Sequence, residues 1–370
     1  MTVDLSDAGP SLAERASHAP ASRSDSSPLQ AHHGHTYAAL DLGTNNCRLL
    51  VARPHHDRTR HGADGLRIVD AFSRIVRLGE RLQQTRELGE AAIIRTLDAL
   101  AVCRAKMEQR GVTRARLIAT EACRMAANGD EFLDRVHDAL GLELEIIDRE
   151  TEARLAALAC AALADSQAEG VLIFDIGGGS SELVWFDPAR RHARAAEQVD
   201  VRLWTSLQIG VVSLAEQFGG VDVSSETYDA MVSHVSRALE SFLSRAMGER
   251  HCSRFHLLGT SGTVTTVAGV HLNLARYDRR RVDGLWMSAG DVSATIGRLR
   301  RMSYAERAAH GCIGPARADL VLAGCAILEA IRRAFPAPRL RIADRGLREG
   351  ILIELMRADG VWDHQPETVA

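Results

Sequence analysis

Lysine is almost missing from this 370-residue chain: Lys106 is the only one, so 44 of the 45 basic residues are arginine. The shortage removes whole mechanisms, because a Walker A loop needs a lysine on its phosphates and Schiff-base chemistry needs a lysine amine. Lys106 sits in the run AVCRAKMEQR with no glycine-rich loop beside it and reads as a surface charge. Arginine can still do phosphate work at particular places. No run of about 18 apolar residues is present, so no helix is expected to span a bilayer. The first 35 residues lack the apolar stretch of about 7 to 15 residues that a secretion signal needs, which predicts a disordered leader on a cytoplasmic protein. The seven cysteines lie singly, with no C-x-x-C pair, and read as small buried hydrophobes in a reducing compartment rather than a disulfide framework or zinc site. A basic excess is also absent: the formal net charge is -3, which argues against nucleic acid as the main partner. What remains is ordinary globular chemistry, 46% apolar and 25% charged, in a chain long enough for two domains or one large one.

The informative feature is an internal echo. Residues 37–51 read YAALDLGTNNCRLLV and residues 171–185 read VLIFDIGGGSSELVW. In each, a short apolar strand ends at an Asp, glycine and small polar residues make a tight turn, and a second alternating strand follows, the pattern of a β-hairpin built for close backbone approach. Asp41 and Asp175 are 134 positions apart, about one domain length, so two copies of one module are expected. Between and after them strands alternate with helices: strands over 66–78, 114–120, 143–148 and 255–263, helices over 89–111, 128–141, 151–165 and about 225–247, and a last strand, turn and helix over 339–356. Asn128 with Glu131 three residues on reads as a capping-box variant. After residue 263 the helical fraction rises and the sheet is expected to end. The alternation predicts an α/β fold with ligands at the carboxyl ends of the strands.

An Asp closing a buried strand before a glycine-rich hairpin offers a phosphate the N–H groups of the turn, and offers a divalent cation a carboxylate. A single Asp-Gly turn commonly just joins strands. Two such turns facing each other would make a clamp on an anionic chain.

The segments DLGTNNCRLLV, IATEACRMAANGDEFL, IIDRETEARL, IFDIGGGSSELV, LLGTSGTVTTVAG and IADRGLREGIL, in this order, resemble the exopolyphosphatase / guanosine pentaphosphate phosphohydrolase (Ppx/GppA) family, over about Ala38 to Met356. The resemblance implies an α/β chain of two ribonuclease-H-like lobes of the actin-like ATPase superfamily, with phosphates and Mg²⁺ in the cleft. It divides the chain into a leader over 1–35, a first lobe over 36–153 with 342–358 packing back on it, a second lobe over 154–341 and a frayed tail over 359–370. It implies Glu152 as catalytic carboxylate, where the residues alone suggest a helix-start charge paired with Arg149 or Arg154. It implies Asp41, Asp175 and Glu182 for the metal and the attacking water, with Glu182 also catalytic. Gly43, Thr44, Asn45, Asn46, Gly177, Gly178, Gly179, Ser180 and Ser181 would offer amides and hydroxyls to phosphate oxygens, and Arg124 would hold phosphates or orient Glu152. The substrate implied is inorganic polyphosphate or guanosine pentaphosphate, with no nucleic acid and no membrane as partner, and the assembly a homodimer.

Two departures from the family pattern stand out. Position 121 is Glu where many relatives carry Ser, which puts a negative charge near Arg124, either tuning phosphate affinity or simply pairing with the arginine. The first turn reads DLGTNN where DLGSNS is common. The segment over 257–281, with its YDRRR run, resembles the region that approaches a nucleotide base, or else is a solvated loop. The chain stops soon after LREGIL, so the C-terminal HD-type extension of long members is expected to be missing, which leans toward short polyphosphate. His32, His33 and His35 cluster in the leader, and His310 reads as a structural histidine near the cleft. A phosphate-responsive regulatory protein that hydrolyses little is the competing function; a sugar kinase or filament protein of the same superfamily is disfavoured by the EARL acid and the RGLREG ending.

Overall fold

The computed structural model describes residues 34–55, 65–188, 201–246, 248 and 254–361. The leader's first 33 residues, Cys252 and the tail from 362 lie outside them. The first half runs β1 (Tyr37–Leu42), β2 (Asn46–Pro54), β3 (Leu66–Ile75), α1 (Leu82–Thr85), α2 (Glu90–Gln109), β4 (Arg114–Ala119), α3 (Glu121–Met125), α4 (Gly129–Leu140), β5 (Glu145–Ile146) and α5 (Arg149–Cys160). The second runs β6 (Gly170–Ile176), β7 (Ser181–Phe186), β8 (Val201–Leu207), α6 (Val211–Phe218), α7 (Ser225–Ala246), β9 (Phe255–Thr260), α8 (Ser261–His271), α9 (Arg279–Val282), β10 (Trp286–Ser288), α10 (Ala289–Arg301), α11 (Tyr304–Ala309), α12 (Val321–Ala334), β11 (Arg339–Ile342) and α13 (Leu347–Ala358).

Two sheets result, ordered β3-β2-β1-β4-β5 and β8-β7-β6-β9-β11-β10. The first five strands of the second sheet repeat the first: a three-stranded antiparallel meander, then two parallel strands. This is the α/β, two-lobed ribonuclease-H-like architecture that the resemblance implies. β1 and β6 lie mid-sheet, covered on both faces, which is why YAALDL and GVLIFDI read as near-continuous apolar runs. In each hairpin the Asp pairs with the residue seven positions on: Asp41 opposite Arg48, Asp175 opposite Glu182.

The two helices that follow the last parallel strand of each sheet are exchanged. α5 leaves the first sheet and packs on β6, β7 and β8 of the second, whereas α13 leaves the second and packs on β1, β2 and β4 of the first. They also pack on each other, through a core in which Leu155 meets Ile351 and Leu352. The exchange ties the sheets together and brings both helix starts to the cleft.

Several local expectations are corrected. The second sheet does not end at β9, because β11 inserts parallel beside it and β10 pairs antiparallel beyond. Asn128 does not cap α4 with its side chain; its Oδ1 accepts from the Leu88 amide and its Nδ2 donates to the Leu88 carbonyl, pinning the loop before α2. Lys106 is ion-paired to Asp70 on β3 rather than simply solvated. Cys47, Cys103, Cys123, Cys160, Cys312 and Cys325 are buried and unbridged, as small hydrophobes are. Among the described residues no helix is long and apolar enough to cross a membrane.

Candidate active site

A cavity of about 780 Å³ lies between the sheets at the carboxyl ends of β1 and β6. It is lined by Asp41, Gly43, Thr44, Asn45 and Asn46 from the first hairpin, Asp175, Gly177, Gly178, Gly179, Ser180 and Glu182 from the second, and Glu152 from α5. Residues separated by more than a hundred positions are thus gathered by the duplicated topology. Ser181 is not among them: it begins β7 facing away from its neighbours, fully buried, and its Oγ donates to the Ile209 carbonyl at 2.7 Å. The hydroxyl expected for phosphate is therefore spent inside the fold.

The hairpin turns touch. A Cβ at Gly178 would stand 3.0 Å from Thr44 Cβ and 3.1 Å from the Asn45 amide, and one at Gly179 would stand 2.6 Å from Thr44 Oγ1. Glycine is required there by the close approach of the other turn. The Thr44–Asn45 tip is fixed from behind, its carbonyls accepting from the amides of Val76, Arg77 and Gly79. The amide oxygens of Asn45 and Asn46 are buried without a hydrogen-bond partner, as acceptors left for a ligand would be.

The carboxylates crowd one another. Burial, and then the nearby Asp41, push Asp175 up to about 6. Burial pushes Glu152 up to about 7 against the opposing pull of Arg124, with Asp41 and Asp175 adding to the rise. Glu182, buried beside Glu152 and Asp175, is raised well above the usual carboxylate range although it accepts from Ser206 Oγ at 2.8 Å. Asp41 is raised by burial and held back by Arg48 and Arg348. Among the described residues no three His, Cys, Asp or Glu side chains form a ready-made metal cage.

Glu152 stands one turn into α5, whose N-cap Asp148 accepts from the Thr151 amide at 2.7 Å. Neither Arg149 nor Arg154 is its partner: Arg149 pairs with Glu121 and Arg154 with Glu354. The partner is Arg124, whose Nη2 donates to Glu152 Oε2 at 2.8 Å. Arg124 lies behind Glu152 and does not line the cavity, so of its two expected uses the structure shows contact with Glu152.

Sequence reasoning missed two arginines. Arg48 and Arg348 line the cavity near Asp41, and neither guanidinium makes a hydrogen bond or ion pair to another described residue. Both were accessible as echoes. Arg48 follows Asp41 by seven positions as Glu182 follows Asp175, and IADRGLR (342–348) aligns with IIDRETE (146–152), matching Arg348 to Glu152. Ser261, in the GTSGT segment, was also passed over. It lines the cavity with φ at 82°, a left-handed conformation costly for serine, and its Oγ donates to the Ile176 carbonyl at 2.6 Å. Of the YDRRR run only Tyr277 reaches the cavity; Arg279 pairs with Glu349, and Arg280 and Arg281 are exposed.

The sequence model of the Ppx/GppA phosphatase family matches residues 57–359. The chain belongs to that family. The guanosine-5'-triphosphate,3'-diphosphate pyrophosphatase of Aeromonas hydrophila is 30% identical over 329 residues, 88% of this chain and 60% of that protein. Exopolyphosphatase 2 of Mycobacterium tuberculosis is 28% identical over 328 residues, 86% of this chain and 98% of that protein. The chain therefore spans about 60% of the length of the pyrophosphatase relatives and nearly all of the exopolyphosphatase. The crystal structure of the Aquifex aeolicus Ppx/GppA family member, 29% identical, superposes over 90% of this chain and 99% of that one with a TM-score of 0.70.

Proposed function

We propose that this chain hydrolyses the terminal phosphoanhydride of inorganic polyphosphate, releasing orthophosphate, with water as nucleophile and Mg²⁺ as cofactor. The observation that carries the reading is the placement of Glu152: an arginine-held carboxylate with raised proton affinity, in a cavity flanked by two Asp-closed hairpins. In this reading Glu152 aligns a water against the terminal phosphorus and takes its proton. The new P–O bond forms as the bridging P–O bond breaks, and the shortened chain leaves with the electron pair of the bridging oxygen. The amides of Gly43 and Gly177 close their own turns on the Asn46 and Ser180 carbonyls; those of Thr44, Asn45, Gly178, Gly179 and Ser180, with Arg48 and Arg348, hold the charge that spreads over the phosphoryl oxygens.

The donor chemistry fits Mg²⁺. It binds hard oxygens through one or two carboxylates plus waters and substrate phosphates, and so needs no protein cage. Asp175 and Glu182, with Asp41 across the cleft, would hold it, and a divalent cation would offset the burial, and after it the carboxylate repulsion, that raise Asp175 and Glu182. When bound, the ion would neutralise phosphoryl charge and orient the terminal group.

A second reading keeps the reaction and changes the substrate to guanosine pentaphosphate. The cavity lining favours it, since Val267, Cys312, Ile313, Leu320 and Val321 add apolar surface suited to a base rather than to phosphates. Phosphate release in Mg²⁺ from short polyphosphate, long polyphosphate and guanosine pentaphosphate, with Glu152→Ala alongside, tests both. Release from polyphosphate, lost by about 10³-fold in the variant, is the expected result. Release from the nucleotide alone favours the second reading, and release from neither leaves a phosphate-responsive regulatory protein.

A further inference from the structure

Glu121 is the least expected charge at the site. It opens α3, is 2% exposed, and accepts four hydrogen bonds from two arginines. Arg124 donates to its Oε2 from Nε at 3.1 Å and from Nη2 at 2.7 Å. Arg149 donates from Nε to Oε2 at 3.1 Å and from Nη2 to Oε1 at 2.9 Å. The Nη2 that Arg124 gives to Glu121 is the one it gives to Glu152, and its Nη1 donates to the Ile147 carbonyl at 2.5 Å. Four of the interactions a five-donor guanidinium can make are thereby used inside the protein.

On the reading that Glu152 aligns the attacking water, we infer that Glu121 is a positioning residue for the reaction: through Arg124 it fixes the Glu152 carboxylate, and through Arg149 it fixes the first turn of the helix that carries Glu152. The four side chains are two carboxyl groups and two guanidiniums, linked through Glu121 and Arg124. A buried carboxylate held bidentately by Arg149, and through the single oxygen Oε2 by both Nε and Nη2 of Arg124, has little rotational freedom, and it denies that freedom to the arginines as well. Without its charge, Arg124 would keep one anionic partner, Glu152, and gain the freedom to turn toward phosphate oxygens in the cavity. Catalytic groups must be held within a fraction of an ångström for an in-line attack, so loss of the brace falls on turnover rather than on substrate binding. Glu121 thus keeps Arg124 from the phosphates and commits it to orienting the base.

The test compares steady-state kinetics of the full chain and its Glu121→Gln variant on whichever phosphoanhydride the wild type hydrolyses. Gln keeps the shape and one acceptor but turns an NH₂ toward a guanidinium. Expected is a fall in kcat of about tenfold with KM unchanged or lower, and a clearly smaller further loss, that of the Arg149 arm alone, when the substitution is added to Arg124→Ala. A kcat within twofold of wild type, a loss confined to KM, or an undiminished tenfold loss in the Arg124→Ala background would each overturn the inference. If Glu121→Gln does not fold, Glu121→Asp, which keeps the charge and shortens the reach, carries the same comparison. A wild type that releases no phosphate brings down the phosphohydrolase reading and this inference together; an active wild type indifferent to Glu121→Gln brings down this inference alone.

Discussion

Arg48 and Glu182 occupy one position in two hairpins of the same register, each opposite the Asp that closes the central strand. Arg348 and Glu152 are matched in the same way at the starts of the exchanged helices α13 and α5. Because each helix packs on the other half's sheet, the two arginines meet beside Asp41 and the two glutamates beside Asp175. One backbone plan thus yields a basic half-site and an acidic half-site facing one cavity. Duplication supplies two phosphate-sized turns at no design cost. Divergence at two matched positions then turns a symmetric cradle into a polar one, with a guanidinium side and a carboxylate side, which the proposed function assigns to phosphoryl oxygens and to water and cation respectively. A symmetric all-acidic cleft would repel a polyanion, and an all-basic one would have no base.

The comparison is sharpest if the halves fail in different parameters. Glu182→Gln is expected to lower kcat by about 10² or more with little change in KM, while Arg48→Gln raises KM about tenfold and spares more of kcat. Initial-rate curves for the two variants on one substrate check this, and equal effects on the same parameter would erase the division between half-sites.

The turns should differ as well. Gly178→Ala forces a methyl against Thr44 and Asn45 and should cost about tenfold in kcat/KM, whereas Gly43→Ala has its nearest neighbour at 3.7 Å and should stay within about twofold. The same assay reads both.

The smallest effect is on stability. Asp175 holds its proton up to about pH 6 when folded but only to its ordinary value of 3.8 when unfolded. Between those values the folded state binds more protons, so raising the pH through that window lowers stability, and above it the loss is complete. Asp175→Asn should therefore stabilise the metal-free protein at pH 8 by about 1 to 3 kcal/mol and give no such gain at pH 3.5. Asp41→Asn should gain less at pH 8, because Arg48 and Arg348 offset its charge. Denaturant titrations at the two pH values decide it.

Much of this was legible before folding. The paired Asp hairpins announce themselves by strand pattern, glycine and spacing, which are local properties of the chain. So are the helix carrying Glu152 and the buried, unbridged cysteines. Ser181 was misread because alternation along β7 decides which hydroxyl faces the cleft, and one residue of register reverses the answer. The residues alone pair Glu152 with Arg149 or Arg154 because helix neighbours are visible in sequence, whereas Arg124, 28 positions away, is reached only through the family resemblance. Arg48 and Arg348 were in plain view as echoes, but their meaning depends on the helix exchange that puts like charges together.

The sequence by itself determined the α/β class, the duplicated module, the family and the set of acids and glycines available for phosphate chemistry, because periodicity, turn residues and spacing are written along the chain. Only the tertiary structure decided which of those groups meet. It paired Arg124 with Glu152, buried Glu121 between two arginines, turned Ser181 away, and sorted matched positions into a basic and an acidic side. Those outcomes depend on two sheets trading helices, and contacts across so many residues follow from packing rather than from any local preference of the chain.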